Sequence, residues 1–111
     1  MVTLRFLSNW SHQQSSEIRA GETLRIEYDP RRLPEHRAER YGQRAWNIAA
    51  HLRFHPGEQA ETRDVSVGAT EISVPANTRQ IELWFHNTDH TGGSAWDSRY
   101  GQNYWLDVTP T

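Results

Sequence analysis

The chain has 111 residues, 12 basic and 14 acidic side chains, a net charge of −2 and no cysteine. That length fits a single domain, residues 1–111, with a modest core. The charge gives no footing for nucleic acid or an anionic membrane, and disulfides, thiolate metal sites and cysteine nucleophiles are excluded. Every basic residue is arginine, the bias expected of a GC-rich bacterial genome. Met1 to Trp10 lack a charged-then-apolar leader pattern, and no apolar run reaches the length of a membrane span. With the absence of cysteine, this leads us to expect a cytoplasmic location.

Alternation of apolar and polar residues dominates the chain. Val2, Leu4 and Phe6 share one side, with Thr3 and Arg5 opposite. Leu24, Ile26 and Tyr28 repeat the pattern. The segment Asp29 to Arg44 breaks it, and within it residues 34–41 are predicted to form a short helix, with Pro34 in its first turn and Gly42 just past its end. Trp46, Ile48, Ala50, Leu52 and Phe54 form the longest alternating run, backed by Asn47, Ala49, His51, Arg53 and His55. Val65 and Val67, Ile72 and Val74, Ile81 with Leu83 and Phe85, and Tyr104 with Leu106 and Val108 complete the series. A period of two marks half-buried strands. Turn signals such as Ala20-Gly21-Glu22, His55-Pro56-Gly57 and Pro75-Ala76-Asn77 separate them. The expected fold is an all-β, immunoglobulin-like antiparallel β-sandwich.

The last quarter carries the most chemistry. If the strands around 80–86 and 103–108 pair so that His86 opposes Asn103, Trp84 falls opposite Trp105, and all four share the outward face. Outward indoles in a patch need an explanation: either the Asp29–Arg44 segment covers them, or they meet a ligand or partner. The connecting loop is long for a hairpin and contains Gly92-Gly93 and Gly101. Trp96, inside it, is either an anchor on the core or a platform for stacking.

The stretch Trp96-Asp97-Ser98-Arg99-Tyr100-Gly101-Gln102-Asn103-Tyr104 resembles the motif Trp-Asp-Asn-Asn-x-Gly-x-Asn-Tyr. That motif opens the last strand of starch- and glycogen-binding modules of carbohydrate-binding module family 21, to which families 25 and 53 are similar. Trp96, Asp97, Gly101, Asn103 and Tyr104 match; Ser98 and Arg99 replace the two asparagines. The resemblance covers this last quarter, including the aromatic strand Ile81–Asn87. It implies an immunoglobulin-like sandwich, with Trp96 stacking on glucose and Asn103 holding hydroxyls. The family's phosphatase-targeting members dock through a basic-Val-x-Phe motif, which this chain lacks.

The residues and the resemblance together predict non-catalytic binding of a polysaccharide or oligosaccharide, α-glucan above others. The site residues are Trp84, His86, Trp96, Asp97, Asn103 and Trp105, and no cofactor is expected. The main alternative is protein–protein contact or homo-oligomer formation, through the outward indoles with Arg99, His86 and Tyr100 or through an edge strand. A second alternative is calcium: Asn87, Asp89 and Thr91 place oxygens at alternate positions before Gly92, with Asp97 further on, although Ser98 occupies the place of the expected bidentate glutamate. His86 with His90, and His51 with His55, are four apart, about 13 Å along a strand and too far for one ion. Catalysis is not expected, because no pair of carboxylates, nucleophile elbow or phosphate loop is legible.

Overall fold

The computed structural model describes residues 1–34, 39–89, 93–99 and 101–110. It is an all-β, immunoglobulin-like sandwich of two sheets. The smaller sheet contains β1 (Val2–Phe6), β2 (His12–Gln14), β4 (Thr23–Tyr28) and β9 (Ala69–Ser73), in the order β2-β1-β4-β9. The larger runs β3-β12-β10-β7-β8, built from β3 (Ile18–Arg19), β7 (Trp46–His55), β8 (Gln59–Asp64), β10 (Gln80–Asp89) and β12 (Tyr104–Thr109). A further strand, β11 (Ser94–Asp97), pairs with β10 on the edge that β12 also uses. Most pairings are antiparallel; β1 with β4 and β3 with β12 are parallel.

The alternation read from the sequence sets the inward faces. Leu4, Phe6, Leu24, Ile26 and Tyr28 on one sheet meet Ile48, Leu52, Phe54, Ile81, Leu83 and Phe85 on the other, all buried. Because side chains on a strand alternate, every second residue of β7 and β10 is left outward. Phe85 packs on Tyr28 at 4.0 Å between ring centroids and meets Phe6 edge-on at 4.9 Å, joining the two sheets through aromatic contact.

Three expectations change. The helix over 34–41 is not formed at its described end: β5 (Glu39–Arg40) pairs with β6 (Gln43–Arg44). Tyr41 and Gly42 both have positive φ, 55° and 76°, the requirement of a tight two-residue hairpin turn. Gly42 therefore closes a hairpin instead of following a helix; residues 35–38 of that expectation lie outside the described residues. The helical element among the described residues is a 3₁₀ turn, Pro30–Arg32, started by Asp29, whose carboxylate accepts from the Arg31 N–H. Next, Val65 and Val67 lie past the end of β8, with Val65 buried and Val67 84% exposed. The strand before them is polar because it is an edge strand with little core contact.

The third change concerns register. Trp105 opposes Glu82, and Trp96 opposes His86. Between the pairs Leu83–Tyr104 and Phe85–Asp97, β10 advances two residues while the partner strand advances seven. Five extra residues are therefore extruded at the sheet edge beside Trp84. The parity expected for Trp84, His86 and Trp105 holds; their pairing does not.

Candidate functional site

The extruded loop is the motif segment. Three residues in it adopt left-handed backbone: Arg99 (φ 48°), Gly101 (φ 87°) and Asn103 (φ 63°). Glycine and asparagine tolerate that region, whereas arginine rarely enters it. The loop closes on itself, since the Asn103 N–H donates to the Ser98 carbonyl at 2.6 Å and the Gly101 N–H donates to Ser98 Oγ at 3.2 Å. Ser98 thus supplies the local turn acceptor that an asparagine could supply. Asn103 Nδ2 donates to Glu82, whose other oxygen lies 3.0 Å from His55 Nε2. Asn103 therefore braces the sheet surface.

Asp97 corrects the sequence reading. It opposes Phe85, points into the sandwich and is buried. Its carboxylate accepts from Tyr28 Oη at 2.8 Å, from Tyr104 Oη and from Arg32 Nε at 2.9 Å. These contacts fill it, so Asp97 supports the loop from beneath instead of reaching for hydroxyls. Burial and the adjacent Asp97 charge raise the Tyr28 phenol, and burial with the Asp97 hydrogen bond pushes Tyr104 up to about 12.

Arg32 is the residue the sequence reading missed. Its guanidinium is buried and makes four hydrogen bonds with its five N–H donors. Besides Asp97, it donates through Nη1 to the carbonyls of Leu7 and Ser11, both at 3.0 Å, and through Nη2 to Tyr104 Oη at 2.8 Å. Leu7 and Ser11 bracket the turn of the first hairpin; Asp97 and Tyr104 bracket the extruded loop. One side chain thus ties both together. Its planar face lies 4.9 Å from the ring of Trp10, in reach of a cation–π contact.

A cleft of about 840 Å³ opens between these two segments. Trp10 and His12 form one wall; Trp96, Ser98, Arg99 and Gln102 form the other, above Asp97 and Tyr104. Trp10 and Trp96 are 60% and 56% exposed. The first turn is ordered by its own bonds: Leu7 N–H donates to Ser11 O and Trp10 N–H to Leu7 O, and Asn9 Oδ1 accepts from Ser11 Oγ at 2.6 Å. Trp96 lies flat on His86, with centroids 3.6 Å apart and planes 8° apart. Both indoles are thus oriented before any ligand arrives. A second hollow, about 360 Å³, lies by Arg5, Arg25 and Glu27, whose charges pair with one another.

The remaining expected site residues lie on the outward face of the larger sheet. Trp84 stacks on His51 at 5.5 Å and is half-buried. Trp105, 47% exposed, stacks on His55 at 5.1 Å and donates its indole N–H to the Gln102 carbonyl. Trp96 is not an anchor in the core: it lies on His86 at the outward face of the sheet and is 56% exposed. The expectation that Asp29–Arg44 covers Trp84 and Trp105 falls partly outside the described residues; Trp84 is half-buried and Trp105 stays 47% exposed. Of the residues in the calcium alternative, Asn87 is buried and donates to the Leu33 carbonyl, Asp89 accepts from the Gly93 N–H, and Asp97 is engaged by Tyr28, Tyr104 and Arg32. Thr91, like His90 and Tyr100, lies outside the described residues. No group of three or more His, Cys, Asp or Glu able to hold a metal occurs among the described residues. Neither is any helix among them long and apolar enough to cross a membrane.

Residues 1–109 match a family described as a family of unknown function, DUF6209. The chain belongs to the DUF6209 family. No curated protein and no solved structure shows detectable similarity to it. The family match spans the scaffold and cleft alike, so both walls belong to the family's domain.

Two outcomes follow from this geometry. Arg32→Met leaves Asp97 buried without its cation and should cost about 3–5 kcal/mol in urea unfolding. Arg32→Met with Asp97→Leu should recover much of that, because no charge remains buried. A single-variant loss under about 1 kcal/mol would contradict the clamp. The second outcome concerns pH. Burial lowers His51; burial and then neighbouring His51 lower His86; burial and then Arg32 and Arg99 lower His12. His51 Nε2 and His86 Nε2 are buried without a hydrogen-bond partner among the described residues. The unfolded chain, whose histidines titrate near 6.5, then binds protons before the folded one does. Melting temperature should fall as pH drops from about 7.5 to 5.5, above the carboxylate range. The double variant His51→Gln, His86→Gln should flatten the profile; an already flat wild-type profile would contradict the assignment.

Proposed function

We propose that the chain is a non-catalytic carbohydrate-binding module whose ligand lies in the cleft between Trp10 and Trp96. The observation that carries this reading is the pair of exposed indoles that line one cleft, each held by a neighbour: Trp10 by Arg32 and Trp96 by His86. The apolar face of a pyranose stacks on an indole, and the polar groups of Ser98, Gln102 and His12 are placed to meet its hydroxyls. Holding these groups rigid before binding reduces the ordering cost of association. Among the described residues lining the cleft, Asp97 is the sole carboxylate, and it is already engaged. Hydrolysis by paired carboxylates has no support in that arrangement.

The motif resemblance points to α-glucan. Arg99 in place of the motif's second asparagine argues for testing a neutral glucan and a uronate polymer side by side. Affinity for a single site of this size is expected to be weak and raised by multivalency on a polymer.

A second reading rests on Trp105, which is exposed on the sheet face but does not line the cleft. It favours contact with a protein partner or a second copy. The two readings separate experimentally. In retention on immobilised polysaccharide, Trp10→Ala and Trp96→Ala should each weaken binding by about 2 kcal/mol, roughly thirtyfold, with folding intact by circular dichroism. Trp105→Ala should leave retention unchanged. Absence of retention for wild type on either polymer, with a solution mass that rises with concentration, would replace the saccharide reading with self-association.

A further inference from the structure

Arg5, Arg19, Arg25, Arg31, Arg32 and Arg63 each lie against a carboxylate. Arg79 donates to the Thr78 carbonyl and Arg44 lies over Trp46, whereas Arg53, on the outward face of β7, and Arg99, at the cleft, have no such partner among the described residues. Arg99 lines the cleft, is exposed, and its guanidinium makes no hydrogen bond or ion pair among the described residues. Its backbone sits at φ 48°, a region that asparagine or glycine would enter more readily. The loop thus places an arginine at a backbone position better suited to other residues, and the side chain obtains no internal partner in return. Such an outlier, next to a cleft, points to a role outside the fold.

The charge of the cleft agrees. Asp97 is cancelled by Arg32, its ion partner at 2.9 Å. His12, on the opposite wall, is held below its usual range by burial first and then by the guanidinium groups of Arg32 and Arg99. Arg99 and His12 line the same cleft. The space between the indoles has one available cation and no available anion among the described residues.

Resting on the carbohydrate reading, we propose that Arg99 makes this cleft selective for an acidic saccharide, one whose pyranose carries a carboxylate, as in a uronate chain. The ring stacks on Trp96, with Trp10 closing the other side, and the sugar carboxylate takes the guanidinium. The planar fork of an arginine matches a carboxylate in two parallel N–H···O bonds, a match that a hydroxyl cannot reproduce.

The test is calorimetric titration of the full chain with an oligogalacturonate and, separately, with its methyl ester, which keeps the ring and removes the charge. Wild type should bind the acid at least roughly tenfold more tightly than the ester, and the advantage should shrink with added salt. Arg99→Asn, a residue suited to the left-handed position, should bind both forms alike. Equal binding of acid and ester by wild type would overturn the acidic preference while leaving the saccharide site standing. An acid preference that survives in Arg99→Asn would overturn Arg99 as its source. Failure of wild type to bind the acid, the ester or glycogen would remove the saccharide reading and this inference together. The wild-type comparison and its salt dependence do not depend on how the variant folds.

Discussion

The structure depends on one buried guanidinium. Arg32 lies between the two sheets, bound to a carboxylate, a phenol and two backbone carbonyls. Taking an arginine and an aspartate out of water is costly, and such a pair yields little net stability compared with an apolar core. What it does supply here is position. The first hairpin turn and the extruded loop are far apart in sequence and share no strand pairing. Through Arg32, the carbonyls of one and the Asp97–Tyr104 pair of the other are fixed to a common centre. Both segments that line the cleft are anchored to that centre.

Stacking on the outer sheet face complements the clamp. Each outward indole of the larger sheet has an imidazole partner: Trp84 with His51, Trp96 with His86, Trp105 with His55. A side chain already held by its neighbour loses less freedom on meeting a ligand. Trp96 gains most from this, because it belongs both to the stacked face and to the cleft. Trp84 and Trp105 show what the same stacking does away from the cleft, where it covers the sheet.

The sequence made the strands and their inward faces legible, because a half-buried strand writes its burial as alternation. Trp46 to Phe54 and Ile81 to Phe85 read directly. Register was not legible: parity depends on local alternation, while register depends on where residues leave the sheet, and five of them do so between Asp97 and Tyr104. The hairpin at Tyr41-Gly42 read as a helix end because glycine serves both features. The strand Gln59–Asp64 was invisible because an edge strand without core contact has no apolar period. At the site, Trp96 was legible from its motif, but Asp97 turned inward, since strand parity places it with Phe85. Trp10, His12 and Arg32 were missed, because their place at the cleft comes from contacts across the sandwich. An indole in the polar turn Ser-Asn-Trp-Ser-His was the available signal for Trp10.

The account holds that Trp10 and Trp96 act as the two walls of one site. The most direct measurement is of the indole N–H signals in ¹H–¹⁵N spectra, during separate titrations with maltoheptaose and with an oligogalacturonate. The signals of Trp10 and Trp96 should move together along one saturation curve in at least one titration, while those of Trp46 and Trp105 stay in place. Movement of Trp105 with Trp10 unchanged, or no saturable movement of any indole with either sugar, would contradict the account.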